Sequence, residues 1–225
     1  MKRIPEPQLM LDKAQAKAYA EADFSLPHNH FVQLFQDHFP QWHNKPAYAL
    51  DLGCGPGDVT RRFAQAHPQC LIHGIDGSRE MIDQGRRMLA RQEEGAGQIS
   101  LIHGLLPGAS LPRARYEIIL SNSLLHHLDN PQTLWQTIHE RGLPGASIGI
   151  MDLLRPGTIT TAKELVESHA GNAPQILKDD FYNSLLAAYT ADEIEAQLQE
   201  AALDFLEVQV VSDRHITIMG TLPES

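Results

Sequence analysis

The chain has 225 residues, 42% apolar and 20% charged, which excludes a disordered or fibrous protein and allows one domain with additions. Acidic residues number 28 against 18 basic ones, giving −10, and the excess sits late in the chain: residues 1–46 carry 5 basic and 5 acidic side chains, 47–152 carry 9 and 11, and 153–225 carry 4 and 12. A field of that sign repels phosphate backbones, so no nucleic-acid partner is expected. There is no run of 18 apolar residues and no apolar signal core after Met1. The expectation is a soluble, unexported, cytoplasmic protein with no membrane partner. Cys54 and Cys70 cannot by themselves build a disulfide framework or a zinc site, and both read as packing residues.

Residues 9–22 are rich in Ala, Gln and Lys, and residues 28–39 place Phe31, Leu34, Phe35, His38 and Phe39 at helical spacing, so two helices are predicted. From Tyr48 onward, compact apolar runs alternate with helical patterns. The runs are 48–52, 71–75, 99–102, 116–120 and 147–151, with helices near 58–67, 78–92 and 131–141, the last opened by Asn130-Pro131. Continuous apolar strands separated by helices indicate a parallel sheet covered on both faces. Further on, Thr161-x-x-Glu164 and Thr190-x-x-Glu193 read as capping boxes and residues 175–188 as a helix. The stretches 206–211 and 215–220, joined by only three residues, must pair antiparallel. The organisation expected is a single domain over 1–225: an N-terminal helical cover (1–45), a ligand-binding core (46–152), a helical insertion (153–189) and a closing helix with a hairpin (190–225).

The chemistry concentrates where the first strand ends, in Leu50-Asp51-Leu52-Gly53-Cys54-Gly55-Pro56-Gly57. Glycines at a strand-to-helix turn let the backbone approach a ligand closely and take positive φ at little cost. Asp76 follows the second strand, 19 residues beyond Gly57. An acid there can accept the ribose hydroxyls of a nucleoside. The G-x-G-x-x-G spacing of a dinucleotide site fails in both phases, because its sixth position is Asp58 or Thr60. Asp51 and Asp58 flanking the turn would repel a pyrophosphate and favour a cationic sulfonium and ammonium. No phosphate-cradling G-x-x-x-x-G-K-[ST] occurs.

These residues resemble the class I S-adenosylmethionine-dependent methyltransferases, in particular the small-molecule group with a methyltransferase-11-like core. Asp51-Leu52-Gly53-Cys54-Gly55-Pro56-Gly57 matches the D/E-x-G-x-G-x-G of that family, and the resemblance extends over about residues 46–152. It implies a Rossmann-like, doubly wound α/β fold, a mostly parallel seven-stranded sheet whose last strand is antiparallel, with helices on both faces. It also implies S-adenosylmethionine as cofactor and S-adenosylhomocysteine as product. Gly53, Cys54, Gly55 and Gly57 would lie near the methionyl part, Asp51 near its amino group, Asp76 and Gly77 at the ribose, and Met81 against adenine. Many relatives carry Gly-Asp after the third strand; here the residues are His103-Gly104-Leu105, so Gly104 and Leu105 would have to recognise adenine through backbone atoms. Asn122 ends the fourth strand at the segment that in relatives faces cofactor and acceptor. It lacks the Pro-Pro-aromatic that follows in amide N-methylating relatives.

In the same stretch His126 and His127 are the candidate catalytic bases, against the plainer reading that one of them packs or caps the turn. Tyr19, Arg155 and Tyr182 are the candidate acceptor-binding residues, against the plainer readings of a surface ion pair for Arg155 and simple packing for the two tyrosines. His28-Asn29-His30 has its two imidazoles on different helical faces, and no metal site is expected. The leading reading is methyl transfer to a small-molecule oxygen, nitrogen or sulfur acceptor. An RNA or protein methyltransferase, a non-catalytic S-adenosylmethionine-binding domain and an NAD(P)-dependent oxidoreductase remain as alternatives, and a homodimer is left open.

Overall fold

The computed structural model describes residues 1–6, 13–91 and 96–224. Seven strands form one sheet: β1 (Ala47–Leu52), β2 (Cys70–Asp76), β3 (Ile99–His103), β4 (Tyr116–Asn122), β5 (Gly142–Leu153), β6 (Glu207–Val210) and β7 (His215–Thr221), in the order β3-β2-β1-β4-β5-β7-β6. The first five strands are mutually parallel, and β7 runs antiparallel between β5 and β6. That is the mostly parallel sheet with an antiparallel final strand expected from the sequence. The eight helices among the described residues are α1 (Lys13–Glu21), α2 (Ser25–His38), α3 (Asp58–Ala66), α4 (Arg79–Leu89), α5 (Gln132–Arg141), α6 (Ile159–Ala170), α7 (Gln175–Ala187) and α8 (Ala191–Glu200). Residues 9–12 of the first predicted helix lie outside the described residues.

The sheet is buried on both sides, which is why its strands read as apolar runs. On one face Leu50, Leu52, Ile119, Ile148, Ile150, Ile216 and Ile218 pack against Leu134, Trp135 and Ile138 of α5 and Ile194 and Leu198 of α8. On the other, Ala49, Ile72, Ile118, Leu120 and Met151 meet Phe31 and Phe35 of α2 and Phe63 of α3. The indole N–H groups of the two buried tryptophans are satisfied: Trp42 donates to Ser147 Oγ at 2.8 Å and Trp135 to Gln197 Oε1 at 3.1 Å. Cys54 and Cys70 are buried free thiols.

Two local expectations need correction. The Thr161 capping box does not form. The α6 N-cap is Thr158, extended at φ −138°, whose hydroxyl accepts the Thr161 N–H at 3.0 Å. Once Pro156-Gly157 ends the extended chain, Thr158 is the first residue able to cap, and Thr161 falls inside the first turn. The Thr190 box does form, with Glu193 N–H on Thr190 Oγ1 at 3.3 Å and Thr190 N–H on Glu193 Oε2 at 3.0 Å. Strand β5 starts at Gly142 rather than Ser147. Gly142-Leu-Pro-Gly145 reads as a turn, yet Gly142 pairs with Tyr116 before a bulge restores register at Ile118 and Ser147.

Candidate functional site

Strand order reverses direction at β1, whose neighbours are β2 and β4, and the carboxyl ends of these three strands open a cleft, the usual ligand position in a doubly wound sheet. The turn after β1 is built on left-handed glycines: Gly53 at φ +69°, Gly55 at +53° and Gly57 at +79°. They do different things. A Cβ on Gly53 would stand 2.8 Å from Leu124 Cδ1, and one on Gly57 3.2 Å from Leu101. A Cβ on Gly55 meets nothing within 4 Å, so that backbone faces the open cleft. Gly57 caps α3 and is not among the residues lining the cleft, although its neighbours Pro56 and Asp58 are.

Asp76 ties the turn to β2. Its Oδ2 accepts the Gly55 N–H at 2.9 Å, its Oδ1 accepts the Ser78 N–H at 2.7 Å, and its backbone carbonyl accepts the Gly104 N–H at 3.0 Å. The carboxylate is thus pre-oriented by two backbone donors. Burial raises its pKa above the ordinary carboxylate value, and those bonds offset the rise only in part. Asp51 is 1% exposed and accepts the Thr60 hydroxyl at 2.6 Å; burial pushes its carboxyl up to about 7. Asp58, at the start of α3, receives His28 Nδ1 at 2.6 Å, Arg61 at 2.6 Å and Arg62 at 2.8 Å. Burial opposes its charge, but the His28 and Arg62 bonds outweigh it and hold the carboxyl well below the ordinary range.

A cavity of about 170 Å³ lies over this turn and gathers Asp51, Gly53, Cys54, Gly55, Asp76, Gly77, Met81, Gly104, Leu105 and Asn122, with Tyr19 and Phe24 of the N-terminal segment above. No Lys or Arg is among the residues lining it. The carboxylates of Asp51 and Asp76 and a glycine cradle open at Gly55 fit a nucleoside carrying positive charge and disfavour a pyrophosphate. The cradle and donor set therefore suit S-adenosylmethionine.

A second cavity, of about 580 Å³, adjoins the first. Tyr19, Phe24, His28, Asn122, Ser123 and His127 line both. Its far walls include Leu177, Asp180 and Phe181 of α7, His169 of α6, Arg214 just before β7 and His215 at its start. Tyr19 packs its ring 4.8 Å from Phe24, and burial pushes its phenol up to about 12.

The candidate bases separate. His127 lines both cavities, whereas His126 lines only the larger and is 2% exposed, with Nδ1 2.5 Å from Asp152 Oδ1 and Nε2 3.5 Å from Glu6 Oε1. Burial works against its charge, but Asp152 beside it raises its pKa. Arg155 does not reach either cavity: it donates to Glu193 Oε1 at 2.6 Å and to the Ala188 carbonyl at 3.3 Å, joining β5 to α8. Of the two readings of Arg155, the ion pair is the one these contacts form. Tyr182 also lies outside both cavities, and its neighbour Phe181 supplies the wall instead. Sequence reasoning missed the His28–Asp58 pair, Asp180 and Glu6, all joined to the site by residues distant in the chain. It also missed Ser123, at φ +57°, whose N–H bonds Met151 O at 2.9 Å.

An antiparallel strand inserted near one sheet edge and an anionic, glycine-turned cleft at the switch point give a Rossmann-like fold. Residues 50–148 match the family model described as a methyltransferase domain. Among curated relatives, the malonyl-[acyl-carrier protein] O-methyltransferase of Priestia megaterium is 28% identical over 131 residues, covering 58% of this chain and 44% of that protein. The chain spans less than half the length of the first curated relatives it matches. Among solved structures, a SAM-dependent methyltransferase from Aquifex aeolicus aligns with a TM-score of 0.65 at 15% identity, covering 95% of this chain and 100% of that one. The plantazolicin methyltransferase in complex with a pentazolic desmethyl analogue and SAH aligns with a TM-score of 0.69 at 14% identity, covering 94% and 90%. These likenesses share the fold.

Proposed function

We propose that this protein is a methyltransferase that moves the methyl group of S-adenosylmethionine to a small-molecule O, N or S acceptor. The observation that carries the reading is the meeting of two cavities at one wall. The smaller sits on the glycine turn, the larger has about 580 Å³, within the range of small-ligand sites, and Asn122, Ser123 and His127 stand between them. S-adenosylmethionine supplies a methyl group already activated on a cationic sulfur.

The protein's part is positioning. Asp76, held by Gly55 and Ser78, presents its carboxylate to the ribose; Asp51 answers the ammonium; Met81, Gly104 and Leu105 border the adenine. Tyr19 and Phe24 close the near side, and Leu177 and Phe181 shut out water from the acceptor. An acceptor that arrives as a thiolate, carboxylate or neutral amine needs no base. Where a proton must leave, His127 is the imidazole at the junction. Enclosure by residues 19–28 and 168–184 favours a small acceptor over RNA or a folded protein, and the net charge of −10 supports the same choice against RNA. Among the described residues no helix is long and apolar enough to cross a membrane.

Calorimetric titration with S-adenosylmethionine, S-adenosylhomocysteine and NADH in parallel tests the reading. The two sulfur nucleosides should bind and NADH should not, after which acids, thiols and amines are screened for methyl acceptance. Binding of NADH alone would replace the proposal with an oxidoreductase. Sulfur-nucleoside binding with no turnover on any acceptor would point to a sensor or scaffold.

A further inference from the structure

We propose that Glu6, His126 and His127 form a binding site for one divalent transition-metal ion of the zinc class. Glu6 Oε1 lies 3.5 Å from His126 Nε2 and 3.2 Å from His127 Nδ1, and one donor atom from each of the three falls within 4.8 Å of the others. A tetrahedral ion with bonds of about 2.0–2.1 Å spaces its ligand atoms by about 3.3–3.4 Å. A charge-assisted hydrogen bond would be about 2.7–2.9 Å. The His126–Glu6 separation is too long for the bond and right for two ligands of one ion.

The surroundings support the same reading. Asp152 takes His126 Nδ1 at 2.5 Å, and is itself anchored by the N–H groups of Leu125 at 2.7 Å and Leu153 at 2.6 Å. A carboxylate that holds one imidazole nitrogen keeps the proton there, turning the other nitrogen's lone pair toward the cluster, as behind metal-ligating histidines generally. Glu6 is delivered by an N-terminal strap with its own fastenings: Ile4 N–H on Leu186 O at 3.0 Å, Arg3 Nη2 on His126 O at 2.9 Å, and Ser184 Oγ on Glu6 Oε1 at 2.9 Å. The side chain of His126 is 2% exposed and that of Glu6 11%, so few waters compete.

Two imidazoles and one carboxylate suit Zn²⁺, Co²⁺ or Ni²⁺, whereas Mg²⁺ and Ca²⁺ prefer oxygen alone. Three protein ligands leave a fourth position open. Both histidines line the larger cavity and Glu6 does not, so the open position faces that cavity. With an ion bound, His127 is a ligand and not a base.

The test uses the full chain stripped with a chelator and then titrated with Co²⁺, following its visible absorption, with Zn²⁺ as competitor. Saturation at one Co²⁺ per chain, displaced by Zn²⁺, is expected. Glu6→Gln and His127→Gln should each weaken Co²⁺ binding at least tenfold, while His43→Ala, on an exposed surface residue, should not. Glu6→Gln keeps the side-chain volume, and melting curves taken in chelator check that both variants stay folded. Absence of stoichiometric binding, or binding unchanged by both substitutions, overturns the site. No nucleoside is present, so the result stands apart from the cofactor titration.

Discussion

With Asp51 placed against the ligand cation as proposed, cofactor affinity should depend on pH. The Asp51 carboxyl is 1% exposed and raised to about 7 by burial, with the Thr60 hydroxyl at 2.6 Å pulling the other way. Between pH 8 and pH 6 its charged fraction falls about tenfold, so a ligand cation that relies on it should lose about tenfold in affinity, near 1.4 kcal/mol. The same shift sets a stability cost of opposite sense. A carboxyl whose folded pKa exceeds its unfolded one binds more protons in the native state, so stability falls as pH rises from about 4 to 7, by at most about 4 kcal/mol. Asp51→Asn keeps an oxygen for Thr60 and removes both effects. The variant should be more stable than wild type at pH 8, bind S-adenosylmethionine more weakly there, and show a flatter pH profile. Calorimetry at pH 6, 7 and 8 in two buffers of different ionisation enthalpy counts the protons released. The ligand's own α-amino group titrates nearby, and the Asn variant reports that contribution alone. A wild-type profile no steeper than the variant's would refute the placement of Asp51 against the ligand cation.

Other positions give sharper single outcomes. Asp76→Ala removes the acceptor of two backbone N–H groups along with the ribose partner, and should weaken S-adenosylhomocysteine binding by about 1.5–3 kcal/mol in calorimetry, more than Asp76→Asn, which keeps one acceptor oxygen. Unchanged affinity in the Ala variant would move the nucleoside elsewhere. Gly55→Ala meets no neighbour and should cost only the left-handed strain of about 1–2 kcal/mol in a urea melt while still impairing cofactor binding; Gly53→Ala, driven against Leu124 at 2.8 Å, should cost more stability. Phe35→Ala, at a fully buried ring touching Phe39 and Phe63, should lower unfolding free energy by about 3–5 kcal/mol. Burial, with Arg214 nearby, lowers His215 to about 4; the unfolded chain therefore takes up the proton first, and about 2 kcal/mol of stability should vanish between pH 7 and 5, a loss that urea melts of His215→Gln should not show.

What the sequence disclosed is what depends on neighbours along the chain. The β–α alternation, the Gly53 to Gly57 turn and Asp76 at the end of β2 are local patterns, because strand ends and turn conformations are set within a few residues. The closing hairpin was readable because three residues allow only an antiparallel return. An ion pair at Arg155 was the plainer expectation, but its partner, Glu193, lies in a helix that only tertiary packing brings near. His28 met Asp58 across 30 positions, and Glu6 met His126 across the whole core, contacts that no spacing rule encodes. The start of β5 was hidden by Gly and Pro, whose turn propensity yields to pairing with β4.

The position of β7 orders events on a growing chain. It is synthesised after the other six strands, yet lies inside the sheet, so β6 has no partner until β7 arrives. The cleft at β1, β2 and β4 has all of its lining residues by Leu128, whereas the larger cavity waits for Arg214 and His215. Domains fold as their segments emerge. Under the proposed function, the nucleoside half of the site is thus encoded upstream of the half proposed to choose the acceptor, and the later segment can diverge without disturbing the earlier one.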